Sequence, residues 1–154
     1  MRIDFAMKIS KKCQYALMAV FELASRNNNL PVKTNDIARS QGISRRFVEI
    51  ILNELKHGGF IESKRGNEGG YYMARSAAKL TIHEIFEYIE GPISICTEGI
   101  NNDKNQAHFG KNAFDNLWEQ ANSALTNVFR SKTFADLVEY EKKHGNEHPS
   151  NYCI

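Results

Sequence analysis

Apolar residues recur every three or four positions through three successive segments in the first third of the chain, the spacing of helices with one buried face. The first segment follows Ser10, a typical N-cap residue, and runs to about Arg26. The second is short, with Thr34 as its expected cap and Gly42 supplying the left-handed conformation at its end. The third follows Ser44 and stops at a pair of glycines. The pattern predicts three short helices before residue 60.

Two short runs at 60–64 and 71–74 have the composition of strands, and the connection at 65–70 contains three glycines. They predict an antiparallel hairpin with an exposed tip. Helix, short helix, glycine turn, helix and hairpin is the order of a winged helix-turn-helix, whose third helix enters the major groove of DNA. The predicted fold class is therefore mainly α with a small β-hairpin wing, followed by a long helix.

The second half of the chain is predicted to be helical as well. Thr81 and Glu84 have the spacing of a capping box and open a helix that ends before Gly91. Residues 94–110 are polar and predict a loop. Apolar residues at three–four spacing then predict a long helix, and Thr133 caps a last short one. The tail after residue 144 is polar.

The distribution of charge indicates which kind of partner the N-terminal half binds. Residues 1–80 carry 14 Lys/Arg against 7 Asp/Glu, whereas residues 81–154 carry 6 against 11, although the whole chain has a net charge of only +2. Such an asymmetry favours a polyanionic partner for the basic half. Chance clustering on a solvated surface is the alternative.

Composition excludes several classes of protein. The 154 residues, 42% hydrophobic and 25% charged, are typical of a globular chain of about one domain. There is no apolar run of about 20 residues and no leader-like N-terminus, and three scattered cysteines do not make a disulfide framework, so a cytoplasmic protein without a membrane partner is expected. No phosphate-binding glycine loop, nucleophile elbow or metalloprotease motif is present, so the chain is not predicted to be an enzyme.

The start of the third helix and the hairpin hold the candidate DNA-binding residues. Arginine side chains there can fork onto guanine or grip phosphate, and a glutamate can accept a hydrogen bond from the cytosine amino group. An arginine at a glycine-rich hairpin tip suits the narrow minor groove of an A·T-rich site. The helix candidates are Ser44, Arg45, Arg46, Phe47 and Glu49, and the wing candidates are Lys64, Arg65, Gly66, Gly69, Gly70 and Tyr71.

Each of these residues also has a simpler interpretation. Arg45 and Arg46 can be solvated helix charges, and Glu49 can pair with a basic neighbour on its own helix. The wing glycines can serve the hairpin turn without any ligand. The order in which cap, turn glycine, basic helix start and basic hairpin follow one another favours DNA binding. A winged helix used for protein contact is the alternative.

Four stretches resemble the Rrf2 family of bacterial transcription regulators: SKKCQYAL at 10–17, DIA at 36–38, GISRRFVE at 42–49 and RGNEGGY at 65–71. The last is the most specific, and the resemblance covers about residues 7–138. It implies a sequence-specific regulator, expected to be a repressor, that binds a palindromic operator as a homodimer. It also implies that Ser44, Arg46 and Glu49 face bases and that Arg65 enters the minor groove.

The resemblance further divides the chain into three parts: a DNA-binding domain at 7–80, a linker helix, sensor loop and dimerisation helix at 81–143, and a polar tail at 144–154. In this division the long helix at about 112–130 holds the two subunits together. Its many large apolar residues independently require something to pack against, and we expect both a partner subunit and the chain's own first helix to supply it. An intramolecular core only is the alternative.

Many members of the family bind an iron–sulfur cluster through three cysteines in the loop before the long helix. Cluster ligation needs several thiolates, and this loop contains only Cys96, with His108 nearby and Cys13 in the first helix. No cofactor or metal site is therefore predicted. An ordinary loop cysteine is the interpretation we favour, while a thiol redox switch and a Cys96/Cys13/His108 cluster site across a dimer stay open. Family members without these cysteines respond to a small metabolite or a partner enzyme.

Overall fold

A computed structural model describes residues 9–26, 30–94 and 110–145. Within these ranges the chain folds into α-helices and one two-stranded antiparallel hairpin, which confirms the predicted fold class. The elements are α1 Lys11–Ser25, α2 Thr34–Gln41, α3 Arg45–His57, β1 Ile61–Lys64, β2 Gly70–Met73, a 3₁₀ turn Ala77–Lys79, α4 Ile82–Glu90, α5 Lys111–Ser131 and α6 Phe134–His144. Among the described helices, none is long and apolar enough to cross a lipid bilayer.

Most predicted helix ends are confirmed by their hydrogen bonds. The Ser10 hydroxyl accepts from the Cys13 backbone N–H at 3.0 Å, and Thr81 forms the predicted capping box with Glu84. Gly42 ends α2 in the left-handed conformation, with φ 64°. The predicted cap at Thr34 is wrong by one position. Lys33 holds the N-cap place without a side-chain bond, because its extended backbone lets Thr34 begin the helix.

Both strands differ by one residue from their predicted bounds. The Phe60 N–H donates to the Leu55 carbonyl at 3.1 Å, so Phe60 still belongs to the turn that ends α3, and β1 begins one residue later. β2 begins at Gly70, which pairs with Lys64 at the closed end of the hairpin. Of the predicted loop at 94–110, residues 95–109 lie outside the described ranges, as does the tail beyond residue 145.

The core is organised around α1. Its Ala16, Ala19 and Val20 are almost completely buried, and α2, α3, α4 and α6 all pack against it. Small side chains let neighbouring helices approach closely, so these alanines set the distance between α1 and its partners. Phe134 at the start of α6 is fully buried in the same hydrophobic cluster. The described N-terminal and C-terminal elements therefore share one core.

A buried carboxylate joins α1 to α2. Glu22 is 6% exposed, and its side-chain oxygens accept hydrogen bonds from Arg26 at 2.7 Å, Ser40 at 2.6 Å and Gln41 at 2.8 Å. Burial favours the neutral acid and would raise its pKa, but these hydrogen bonds and the Arg26 charge together lower the pKa of Glu22 below its usual 4.5. The ionised carboxylate therefore stabilises the angle at which α2 lies on α1.

We expect Glu22→Gln to lower the free energy of unfolding by about 2 kcal/mol at pH 7, because hydrogen bonds to a charged acceptor are lost. Since the folded-state pKa is depressed, this contribution is present above pH 4.5 and is lost as the pH falls through the folded-state value. The difference in the free energy of unfolding between wild type and variant, measured by urea unfolding, should accordingly narrow from pH 6 to pH 3.

The matched control for this prediction is Glu139→Gln on α6. Glu139 pairs with Lys143 at 2.6 Å, but both side chains are 65% exposed, so its removal should change stability by less than about 0.5 kcal/mol. If the two variants lost equal free energy of unfolding, or if the loss in Glu22→Gln did not depend on pH, the Glu22 network would contribute no more than a surface pair.

Candidate nucleic-acid interface

Helix α3 is the predicted recognition helix, and its two faces differ sharply. Four apolar residues are buried against the core, namely Val48, Ile51, Leu52 and Leu55. With 100° between successive helical residues, the face opposite to this stripe carries Arg46, Ile50 and Asn53, all of them exposed. The helix therefore presents a continuous outer face that the described part of the chain leaves uncovered.

The two arginines at the start of α3 are not equivalent. The Arg45 guanidinium donates from Nε to Glu49 Oε1 at 2.8 Å, the pairing that the sequence left open for Glu49. Arg46 is exposed and has no ion pair among the described residues. An exposed i,i+4 pair contributes well under about 1 kcal/mol, so a phosphate or base can displace it at little cost. The Arg46 side chain is thus free to contact a phosphate or a base, whereas Arg45 must first release Glu49.

The hairpin lies beside this helix start. A cleft of about 370 Å³ lies between them, and both Arg45 and the glycines of the hairpin tip line it. The cleft is lined by Lys33, Thr34, Asn35, Arg45, Gly66, Asn67, Gly69 and Gly70. The predicted recognition helix and wing therefore face the same side of the molecule.

Besides Asn67 of the hairpin, three of these lining residues, Lys33, Thr34 and Asn35, were not predicted as part of the site. They come from the N-terminus of α2, where the first backbone N–H groups have no partner within the helix and can donate to a phosphate. The sequence offered one signal, since Lys33 belongs to the basic half of the chain. Only the tertiary structure brings α2 next to the hairpin.

The base of the wing is tied to the segment before α2. The Val32 N–H donates to the Tyr71 carbonyl at 2.8 Å, and the Tyr71 N–H donates to the Val32 carbonyl at 2.9 Å. Gly70 lies so close to this bridge that a Cβ atom there would come within 2.5 Å of the Val32 carbonyl oxygen. Gly69 is buried, and the Tyr71 side chain packs on the core. These three residues of the predicted site hold the hairpin in place.

The tip of the wing has a different character. Lys64, Arg65 and Gly66 are exposed, and in the described ranges neither basic side chain has an acidic partner. Gly66 has φ 106°, a conformation that favours glycine and turns the chain without a side chain at the tip. Both positive charges are thus available to a ligand that approaches the cleft.

Other contacts of α3 fix its position. Lys56 Nζ donates to Ser63 Oγ of β1 at 2.7 Å, and Lys12 of α1 pairs with Glu54 at 2.7 Å. The predicted DNA-binding residue Phe47 is 55% exposed, with its ring centroid 6.2 Å from that of Tyr15. One side of Phe47 is therefore used within the fold, and the other faces solvent.

The predicted sensor residues do not come together in the described structure. Cys96 and His108 lie outside the described ranges, whereas Cys13 is completely buried in α1. Burial, and then the nearby charge of Glu90, raises the pKa of the Cys13 thiol to about 12. In the part of the chain that the structure describes, no three His, Cys, Asp or Glu side chains are grouped so that they could hold a metal ion.

Helix α5 has no buried residue, although it is 21 residues long. Phe114, Leu117 and Val128 are 58%, 49% and 55% exposed, respectively. Its described aromatic contact with the rest of the chain is between Phe129 and Phe86 of α4, whose centroids are 5.1 Å apart. The apolar stripe of α5 is thus mostly left open by its own chain.

A helix-turn-helix with an uncovered basic recognition helix and a basic hairpin beside it defines a winged-helix DNA-binding protein. The profile of the Rrf2 family, described as iron-dependent transcriptional regulators, matches residues 9–140. The chain belongs to the Rrf2 family. The family and the relatives below are transcriptional regulators rather than enzymes, which confirms the prediction drawn from the missing catalytic motifs.

Relatives with known names and structures support the assignment. The regulator CymR of Bacillus subtilis is 31% identical over 134 residues, which cover 87% of this chain and 91% of CymR. A structure of CymR, described as the global cysteine regulator of that organism, has a TM-score of 0.74 at 29% identity, and the match covers 88% of this chain and 98% of the CymR chain. The structure of IscR from T. potens has a TM-score of 0.72 at 25% identity, covering 96% of both chains.

The iron named in the family description does not fit the described residues. The described candidate thiol, Cys13, is buried and remains protonated at neutral pH, whereas a metal or cluster ligand must be a thiolate. Glu90 is near it, but in the described ranges no three His, Cys, Asp or Glu side chains are grouped so that they could hold a metal ion. No step of the function proposed below therefore depends on iron.

The contact between Gly70 and Val32 gives a prediction about the wing. Gly70→Ala should lower the free energy of unfolding by about 2 kcal/mol, because the new methyl group collides with backbone rather than with a movable side chain. Asn67→Ala, at the exposed tip of the same hairpin, is the control and should change stability by less than about 0.5 kcal/mol. Urea unfolding of both variants tests the difference, and similar stabilities would show that the Val32 bridge does not position the wing.

Proposed function

We propose that this regulator is a repressor that binds a palindromic operator as a homodimer, with α3 in the major groove and the hairpin tip in the adjacent minor groove. The observation that carries the proposal is the shared cleft, which both Arg45 of α3 and Gly66 of the wing line. A single approaching duplex can meet both elements at once. Such a regulator acts in the cytoplasm, where the bacterial chromosome is.

The proposed contacts follow from exposure and charge. Arg46 is the first candidate for a guanine or a phosphate, since it is exposed and has no carboxylate partner in the described part of the chain. Ser44 and Phe47 are exposed beside it, and Glu49 can accept from a cytosine amino group once Arg45 turns to the backbone. Arg65 is the proposed minor-groove side chain, and Lys64 the neighbouring phosphate contact.

The proposed dimer rests on α5. A helix of 21 residues extends for about 30 Å, and its apolar stripe is half exposed along much of that length. Burying such a stripe against the same stripe of a second copy is the usual solution for a two-fold dimer. We therefore assign DNA binding to residues 7–80, dimerisation and signal reception to 81–143, and no role to the tail at 144–154.

Repression follows from the geometry of such a dimer. Two recognition helices and two wings on a palindromic site cover a continuous stretch of duplex, and a promoter covered in this way is closed to polymerase. The signal that releases the operator acts through the loop at 91–110, as a small metabolite or a partner enzyme. A thiol switch at Cys96 is the alternative for the signal, and buried Cys13 takes no part in it.

The wing assignment is tested with Arg65→Ala. On an A·T-rich operator selected from random duplexes, we expect affinity to fall about tenfold, and on unselected duplex clearly less, because the minor-groove contact depends on sequence. Fluorescence anisotropy at several salt concentrations measures both. Wild-type affinity should fall as salt rises, with a slope of about −0.9 for each phosphate neutralised.

Lys143→Ala on α6 removes the same charge away from the cleft and is the matched control, since Lys143 pairs with Glu139. It should leave operator affinity within about twofold, as expected for an exposed pair. If Arg65→Ala weakened operator and random duplex equally, Arg65 would contact only the phosphate backbone. If the wild type bound no duplex, the proposed function would be wrong.

The dimer is tested with Leu117→Glu, which places a charge in the apolar stripe of α5. The wild type should have twice the mass of the chain in sedimentation equilibrium, and the variant the mass of a single chain, because an unpaired charge is costly in an apolar interface. Ser123→Glu lies on the opposite, polar face of the same helix and should stay dimeric. A monomeric wild type, or equal effects of the two variants, would contradict the proposal.

A further inference from the structure

The outer face of α3 contains one residue that charge and hydrogen bonding do not explain. Ile50 lies one turn after Arg46 and is 52% exposed, on the face opposite to the buried stripe of the helix. Its neighbours along that face, Arg46 and Asn53, are polar and exposed. An isoleucine in this place leaves about half of its surface outside the core of its own chain.

The exposed face of α3 gives Ile50 a partner under the proposed function. That face begins at Arg46, one residue after Arg45, which lines the cleft together with the wing, so a duplex attracted by these charges can reach Ile50. Base edges in the major groove offer hydrogen-bond donors and acceptors at every pair, but their exposed apolar group is the C5-methyl of thymine. A branched aliphatic side chain is complementary to that methyl and to no other group there.

Resting on the proposed function, we propose that Ile50 is a specificity-determining residue that contacts the C5-methyl group of a thymine, one in each half of the operator. Arg46 and Ile50 then read neighbouring base pairs from successive turns of one helix face, Arg46 through hydrogen bonds and Ile50 through apolar contact. A cytosine at that position lacks the methyl and presents an amino group, which Ile50 cannot pair. The operator is therefore expected to contain an invariant T·A pair at this position.

The test uses the full chain and a chemical change in the DNA rather than in the protein. A duplex is first selected from random sequences, and each thymine of one half-site, together with its symmetry mate, is then replaced by deoxyuridine, which removes only the methyl group. At one thymine position, the replacement should weaken binding of the wild type about fourfold for each half-site, the value expected for one buried methyl. The other thymines should show much smaller effects.

Ile50→Ala completes a double-mutant cycle. The variant should bind the thymine operator more weakly than the wild type does, yet it should no longer distinguish deoxyuridine from thymine at the sensitive position. Ile50→Val, which loses one methylene, should keep part of the discrimination. Because Ile50 is half exposed, both variants should unfold at nearly the wild-type temperature, which thermal unfolding checks.

The outcomes separate this inference from the function on which it rests. If the wild type selects an operator but deoxyuridine has no effect at any thymine, or if wild type and Ile50→Ala lose equal affinity, Ile50 reads no methyl group while DNA binding stands. If no duplex is selected, both proposals are wrong. Loss of the deoxyuridine effect only in Ile50→Ala supports the inference.

Discussion

The fold depends on how closely other helices approach α1. Ala16 and Ala19 are buried with almost no exposed surface, and because their side chains are small, α2, α3, α4 and α6 can all pack on the same short helix. The position of α3 is thereby set on its inner side by Val48 and Leu52, which leaves its outer face free. Glu22 sets the neighbouring α2 by accepting hydrogen bonds from Ser40 and Gln41. A recognition surface can be held rigid only if it is supported from behind in this way.

The molecule separates its two surfaces by chemistry. Charged side chains at the start of α3 and at the hairpin tip form the face proposed to bind DNA, whereas the exposed apolar stripe of α5 is the face proposed to bind a second subunit. The two faces remain connected through one core, since the buried Phe134 N–H donates to the Leu80 carbonyl at 3.0 Å and Ile82 donates to Lys132 at 2.9 Å. The described elements at 82–145 are therefore joined to the winged-helix elements through packed backbone.

Iron is the part of the family description that the described residues do not support. Cys13 is buried and protonated, so the described residues do not form an iron site, although the family is described as iron-dependent. The family's fold is kept here. The signal is proposed to act through the loop at 91–110, which is separate in the chain from the elements proposed to bind DNA.

The sequence by itself determined the features that depend only on residues close together in the chain. The Thr81 capping box, the left-handed Gly42 and the apolar stripe of α5 are local, so their spacing was enough to predict them. The tertiary structure alone decided which distant segments meet. The bridge between Val32 and Tyr71, the addition of Lys33 to the cleft and the exposure of Ile50 depend on packing between segments far apart in the chain. The ion pair between Arg45 and Glu49 lies between these cases. The spacing of the two residues allowed the pair, but the fold had to exclude competing partners.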